Sequence, residues 1–289
     1  MTQIIRSLDE IAADYDAVFC DLWGCLHNGV AAFPAAVAAL QRYRARGGRV
    51  VLLTNAPRPR KYVIAHLERL AVPADAWDEV VSSGDAAQDA MFAGAVSRRV
   101  WAISQEKDEG FFADIPEEWQ SAAPIQRVPM TEAEGIVCTG LFDDETEVPE
   151  DYRTRLILAR DRRLKMLCAN PDIVVDLGQK RLYCAGALAR LYEDLGGEAL
   201  YFGKPHAPIY DLARRKLGLD ASARVLAIGD GIGTDVPGAT TAGMDALFVT
   251  GGLAHDQFGP DVESPEPDML REWLALRSEN PRYAIGRLR

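Results

Sequence analysis

Short apolar runs recur along this chain, and each one ends in polar or small residues. They are AVFCD (17–21), RVVLLTN (49–55), RVLAIGD (224–230) and ALFVTGG (246–252). Runs of this length are typical of strands buried on both faces of a parallel sheet. Amphipathic helical patterns lie between them, at 35–48, 60–72 and 208–219. Because alternating strands and helices indicate βαβ units, the sequence predicts an α/β fold around a doubly wound parallel sheet.

The stretch from residue 85 to 182 differs in composition from the rest of the chain. Its strand candidates are separated by charged and Pro-containing segments, and they lie at 99–104, 135–142 and 164–172. A chain of 289 residues is also long for a single hydrophobic core. We therefore expect a core domain formed by 1–84 and 183–289, with a smaller α/β domain inserted at 85–182. A last helix within 265–277 is expected to be followed by a poorly defined end.

The charge and the hydropathy pattern limit the kinds of partner. A net charge of −11 argues against nucleic acid, because phosphate backbones require a basic surface. It does not exclude a small phosphorylated ligand, which a few local donors and a metal ion can hold. No apolar stretch is long enough to span a bilayer, and the N-terminus is acidic where a signal peptide would be basic or apolar. We expect a cytoplasmic protein with no membrane partner.

Five cysteines occur in the sequence without any CxxC pair. Three of them lie inside apolar runs, which is typical of buried thiols. We therefore expect reduced, buried cysteines rather than a redox or zinc site.

Polar residues that could take part in catalysis or ligand binding follow several of the predicted strands. Asp21 ends the first run, Thr54 and Asn55 end the second, and GDGIGTD (229–235) contains Asp230 and Asp235. This is the edge at which open α/β sheets bind ligands, and carboxylates in a Gly-rich turn suit a hard cation. Taken singly, Asp21 could be a cap, Thr54 and Asn55 could be turn formers before Pro57, and GDGIGTD could be a surface turn. Lys204, in Gly203-Lys204-Pro205, could likewise be a solvated surface charge.

In this combination and order, the motifs resemble those of the haloacid dehalogenase (HAD) superfamily of phosphohydrolases. The resemblance implies a Rossmann-like core with a mobile cap domain, and the place of the insertion matches the class II caps. Finer features are similar to the class IIA subclass of NagD-like and 4-nitrophenylphosphatase-like enzymes. These features are TNAP (54–57), SSGDAA (82–87), CANPD (168–172), CAGALARLYEDLGG (184–197) and YFGKP (201–205).

The resemblance implies a role for each motif. Asp21 would be the nucleophile that forms an aspartyl-phosphate, while Thr54 and Lys204 would contact the phosphate. A magnesium ion would be held by Asp21, the backbone carbonyl of Trp23, Asp230 and Asp235. The expected substrate-binding residues are Gly24, His27, Asn55, Asn170 and Asp172. The expected activity is magnesium-dependent hydrolysis of a small phosphorylated metabolite, with sugar phosphate ahead of nucleotide; a homodimer is left open.

Trp23 departs from the family pattern. Phosphatase members carry a second Asp at this position, which protonates the leaving oxygen and then activates water. Indole does not titrate usefully, and a positioned acid–base group typically contributes ~10²–10⁴-fold to the rate.

Four interpretations of Trp23 stay open. The enzyme could act on substrates with good leaving groups, or take its acid from His27, Asp172 or the substrate. It could be a carbon–halogen hydrolase, although retention of both Asp230 and Asp235 favours phosphate chemistry. It could also be a catalytically weak protein that binds a phosphorylated ligand or a partner.

Overall fold

The structure of the chain is a computed structural model that describes residues 2–177 and 180–289. Its strands are β1 (Gln3–Ile4), β2 (Ala17–Asp21), β3 (Arg49–Thr54), β4 (Glu79–Ser82), β5 (Arg99–Ile103), β6 (Gln126–Arg127), β7 (Gly135–Cys138), β8 (Lys165–Cys168), β9 (Val174–Leu177), β10 (Lys180–Tyr183), β11 (Glu198–Tyr201), β12 (Val225–Gly229), β13 (Asp245–Val249) and β14 (Tyr283–Ile285). Its helices are α1 (Pro34–Ala45), α2 (Arg60–Arg69), α3 (Ser83–Phe92), α4 (Gly110–Ala113), α5 (Arg153–Asp161), α6 (Ala185–Asp194), α7 (Ala207–Leu217), α8 (Asp235–Thr241) and α9 (Pro267–Ala275).

The larger sheet has the strand order β1-β14-β13-β12-β2-β3-β4. Strand β2 is buried along its whole length and pairs in parallel with β12 on one side and β3 on the other. From β2 the chain continues outward through β3 and β4, whereas from β12 it continues through β13 and β14 in the opposite direction. The predicted doubly wound parallel sheet is therefore confirmed, and its switch point lies between β2 and β12.

The C-terminal end of the chain corrects one prediction. The residues after α9 were expected to be poorly defined, but β14 is buried and pairs in parallel with both β13 and β1. Its three residues, YAI, are too few to show a strand pattern by themselves. Because β1 also has only two residues, the pairing depends on contacts between opposite ends of the chain.

Residue contacts divide the chain into two units, one formed by 1–54, 64–81 and 210–289, the other by 55–63 and 82–209. The second unit contains a parallel sheet of order β11-β8-β7-β5-β6 and the antiparallel pair β9 and β10. Its core includes the fully buried rings of Tyr152 and Tyr192. The edge strand β11 lies beyond residue 182, and the domain boundaries expected at 85 and 182 stay a prediction.

The SSGDAA segment starts helix α3 with a reciprocal cap. The Ser82 hydroxyl accepts a hydrogen bond from the Asp85 N–H (2.9 Å), and the Asp85 carboxylate accepts one from the Ser82 N–H (2.9 Å). This arrangement satisfies two backbone donors at the start of the helix.

Two further expectations concern the thiols and the membrane. All five cysteines are buried and free of disulfides, so the prediction of reduced thiols is confirmed. Within 2–177 and 180–289, no helix combines the length and the apolar character that a membrane crossing requires.

Candidate active site

Asp21 is the last residue of β2, and the chain turns back on itself directly after it. The N–H groups of Leu26 and His27 both donate to the Leu22 carbonyl (2.8 and 3.0 Å), and the Gly24 N–H donates to the His27 carbonyl (2.9 Å). Gly24 has a φ of +71°, a conformation that favours glycine. This compact loop fixes the backbone immediately beyond the Asp21 carboxylate, which is itself buried.

Asp230 follows β12, the strand beside β2, so the two carboxylates leave the sheet at the same edge. The Leu253 N–H donates to Asp230 Oδ2 (2.8 Å), and the Asp230 side chain is buried. A Cβ atom added to either Gly24 or Gly252 would lie 2.0 Å from Asp230 Oδ2. Both glycines are therefore needed to make room for this carboxylate. Sequence reasoning did not identify Gly252 or Leu253, although the Gly pair at the end of ALFVTGG was a usable signal.

Three ligand atoms converge at this edge of the sheet. One ligand atom each from Asp21, Cys25 and Asp230 lies within 4.8 Å of the others, and all three residues are buried. Burial first, and then the charges of Asp230 and Asp21, raise the pKa of the Cys25 thiol well above its usual value. Carboxylate oxygens are the donors that magnesium prefers, so the two aspartates fit a divalent cation.

Asp235 holds the turn between β12 and α8. Its carboxylate accepts hydrogen bonds from the Gly231 N–H (3.0 Å) and the Thr234 hydroxyl (3.4 Å). Gly229 is required for this fit, because a Cβ there would lie 2.0 Å from Asp235 Cγ. In the part of the chain that the structure describes, the group of three potential ligands does not include Asp235. Its position suits a residue that orients the Asp230 backbone.

Trp23 and His27 pack against each other in the loop after β2. The indole is 38% exposed, meets the His27 ring edge-on at 5.4 Å, and lies so close to Gly29 that a Cβ there would be 2.2 Å from it. His27 is fully buried, and its Nδ1 accepts a hydrogen bond from the Gly29 N–H (3.0 Å).

The charge state of His27 follows from these surroundings. Burial, and then the nearby His66, lower the pKa of His27 to about 4. The bond to Nδ1 places the proton of the neutral ring on Nε2, for which the described residues provide no hydrogen-bond partner. His27 is therefore an uncharged imidazole at neutral pH.

The remaining predicted residues, apart from Thr54, form a hydrogen-bonded group in the second unit. The Asn55 side chain accepts from the Lys204 N–H (2.7 Å) and donates to the Lys204 carbonyl (3.0 Å) and to Asp172 Oδ1 (2.8 Å). The Asp172 N–H donates to Asn170 Oδ1 (3.0 Å). The segments TNAP, CANPD and YFGKP thus meet at one place in the fold. Thr54 belongs to the first unit, where it ends β3 and follows the residue paired with Asp21.

Sequence reasoning missed Cys25 as a member of the carboxylate group. The sequence indicates only a buried thiol, and the structure confirms that Cys25 is buried and free. The usable signal was its place four residues after Asp21, in the turn where β2 leaves the sheet.

Two segments of the chain match known protein families. Residues 18–115 match the family described as haloacid dehalogenase-like hydrolase, and residues 201–275 match one described as HAD-hydrolase-like. A haloacid dehalogenase-like hydrolase of known structure from Brucella suis 1330 is 40% identical, with a TM-score of 0.82. That similarity covers 99% of this chain and all of the other.

Two more distant relatives have named activities. A 5′-nucleotidase from Bacillus subtilis is 27% identical over 90% of this chain and 98% of its own length. A glycerol phosphate phosphatase from Mycobacterium tuberculosis, solved in complex with magnesium, is 25% identical with a TM-score of 0.64. The similarity covers 84% of this chain and 70% of the M. tuberculosis chain.

Proposed function

This chain is an enzyme of the haloacid dehalogenase-like hydrolase family, and on that premise we propose that it is a magnesium-dependent phosphohydrolase in which Asp21 is the nucleophile. The observation that carries the proposal is the convergence of Asp21 and Asp230, both buried, at the switch point of the sheet. Buried carboxylates this close together repel each other, and a divalent cation relieves that repulsion.

Asp21 carries out the covalent step in this proposal. One of its carboxylate oxygens attacks phosphorus, the bond from phosphorus to the leaving oxygen breaks, and an aspartyl-phosphate forms. Water then attacks the phosphorus of this acyl phosphate, and the bond from phosphorus to the Asp21 oxygen breaks. This step releases phosphate and restores the Asp21 carboxylate. An attacking carboxylate and a phosphate dianion repel each other, so positive charge and hydrogen-bond donors are required at the site.

Several residues of the chain supply that stabilisation. Asp21, Asp230 and the Trp23 carbonyl would hold the magnesium ion, with Asp235 orienting the turn that carries Asp230. When bound, the ion neutralises charge on the phosphoryl oxygens. Lys204 and Thr54 are proposed to contact those oxygens as well, the first by its charge and the second by its hydroxyl.

The proposed substrate is a small phosphorylated metabolite, with sugar or polyol phosphates ahead of nucleotides. The relatives named as a glycerol phosphate phosphatase and a 5′-nucleotidase support both classes. Trp23 favours esters whose leaving group needs little protonation, because indole provides no proton in the accessible pH range.

The test is phosphate release from a panel of esters, measured with magnesium and again with a chelator. The panel contains glycerol 3-phosphate, a sugar phosphate, a nucleoside monophosphate and 4-nitrophenyl phosphate. We expect release from at least one ester with magnesium and none with the chelator. If none is hydrolysed but one raises the melting temperature, the protein binds phosphorylated ligands without turnover. Metal-independent halide release from 2-haloacids would instead indicate carbon–halogen chemistry.

A further inference from the structure

Cys25 brings a sulfur atom to the edge of the sheet where two carboxylates already converge. Its side chain is 1% exposed, and its sulfur lies within 4.8 Å of a carboxylate oxygen from both Asp21 and Asp230. The Cys25 sulfur is therefore placed as a third potential metal ligand beside the two carboxylates.

We propose that this site binds thiophilic divalent cations such as Zn²⁺ and Co²⁺, with the Cys25 sulfur as a direct ligand beside Asp21 and Asp230. The inference rests on the proposed metal site, and it adds a cation class that the carboxylates alone would not select. Sulfur ligands favour Zn²⁺ and related ions, whereas Mg²⁺ takes oxygen ligands almost exclusively.

The spacing of the three ligands suits such an ion after small side-chain rotations. In a tetrahedral site, a sulfur and an oxygen bound to the same Zn²⁺ are about 3.6 Å apart. The three atoms all lie within 4.8 Å of one another, so inward rotation of the side chains brings them onto one ion. On binding, the thiol proton passes to solvent and the thiolate coordinates the metal.

Occupation by Zn²⁺ has a direct consequence for the proposed reaction. The ion would engage Asp21, the proposed nucleophile, in a tighter bond than magnesium makes. Zn²⁺ is therefore an inhibitor that competes with Mg²⁺, and its affinity depends on the Cys25 sulfur. Replacing sulfur by oxygen in Cys25→Ser should weaken Zn²⁺ binding at least about tenfold, since the loss of outer-shell partners alone typically costs 10–100-fold. Magnesium binding should change much less.

The experiment is a titration of the purified protein with Co²⁺, followed through thiolate-to-cobalt charge-transfer absorption in the near ultraviolet. We expect the band to appear in the wild type, to saturate at one ion per chain, and to disappear when Zn²⁺ is added. It should be absent in Cys25→Ser and present in Cys184→Ala. Cys184 is a matched control because it is another buried free thiol, located directly before α6 in the second unit.

Two results would overturn the inference: a wild-type protein without the band, or a band that persists in a folded Cys25→Ser variant. The outcome is independent of turnover. Magnesium-dependent phosphate release without the band would reject the sulfur ligand and retain the phosphatase. The band without phosphate release from any ester would retain the sulfur ligand and reject the phosphatase.

Discussion

At the scale of single residues, the loop after β2 makes room for the proposed metal site but provides no side chain suited to proton transfer at neutral pH. Gly24 leaves room for Asp230. Trp23 is proposed to stand where the phosphatases of this family carry an acid–base carboxylate. His27, which the sequence offered as a substitute acid, is buried and uncharged at neutral pH because its pKa is lowered to about 4. It therefore carries little of the protonated form that a general acid at pH 7 requires.

Trp23→Asp should restore proton transfer to the leaving group. We expect hydrolysis of alkyl phosphates, which are poor leaving groups, to rise at least about tenfold, part of the ~10²–10⁴-fold that a positioned acid–base group contributes. Hydrolysis of 4-nitrophenyl phosphate should change much less. Trp23→Asn is the matched control, because it has the same size without a titratable proton. An equal gain in both variants would show that removing the indole, rather than adding an acid, changes the rate.

Gly24→Ala should damage the metal site specifically. The new methyl group would lie 2.0 Å from Asp230 Oδ2, and alanine would also be strained at a φ of +71°. Gly47→Ala separates the two effects, since Gly47 has a φ of +90° and no residue other than its chain neighbours within 4 Å of the added Cβ. Both variants should lose about 1 kcal/mol of stability from backbone strain. Only Gly24→Ala should lose magnesium-dependent activity, by at least about tenfold; activity equal to that of Gly47→Ala would contradict this account.

At the scale of secondary-structure elements, Asp78 connects α1 to the start of β3. Its carboxylate accepts hydrogen bonds from the Arg44 guanidinium (3.1 and 2.8 Å) and from the Val50 N–H (2.7 Å). Burial acts to raise the pKa of Asp78, but these hydrogen bonds and the nearby arginine charges outweigh it and lower the pKa below its ordinary value. The ionised form therefore stabilises the fold.

Asp78→Asn should destabilise the protein in a pH-dependent way. A carboxylate with a lowered pKa contributes stability above its ordinary pKa of about 4, and that contribution is lost as the pH falls towards the lower folded value. We expect a loss of about 1–2 kcal/mol at pH 7, measured by denaturant unfolding. The difference from wild type should shrink below about pH 4.

Asp268→Asn provides the control for this prediction, because it removes an exposed ion pair with Arg271 in the first turn of α9. Such a pair should contribute at most about 0.5 kcal/mol. A loss at Asp78 that is constant over the whole pH range would contradict the assigned role.

The sequence predicted the long, strongly patterned elements and missed those that depend on distant pairing. The β2, β3, β12 and β13 strands were visible as apolar runs because a parallel sheet buries both faces of each strand. By contrast, β14 is too short to show a pattern, and its pairing with β1 joins residues about 280 positions apart. Cys25 was seen as a buried thiol, but its closeness to Asp230 follows only from the pairing of β2 with β12.

At the scale of the whole molecule, the predicted site residues fall into two groups, one in each unit. Asp21, Trp23, Gly24, His27, Thr54, Asp230 and Asp235 belong to the first unit, and Asn55, Asn170, Asp172 and Lys204 to the second. In the first group, Asp21 and Asp230 lie at the ends of two paired strands. In the second group, hydrogen bonds join Asn55 to Lys204 and Asn170 to Asp172. The assignment of both groups to the proposed reaction rests on the resemblance of their motifs to those of the family.

The central claim is that Asp21 forms a covalent phosphoryl intermediate. Because Trp23 cannot activate the hydrolytic water, breakdown of that intermediate should be slow relative to its formation. Rapid mixing with 4-nitrophenyl phosphate and magnesium should then give a burst of 4-nitrophenolate equal to the enzyme concentration, followed by slower turnover. Asp21→Asn should show neither phase. If a folded Asp21→Asn variant released 4-nitrophenolate at the wild-type rate, Asp21 would not be the nucleophile.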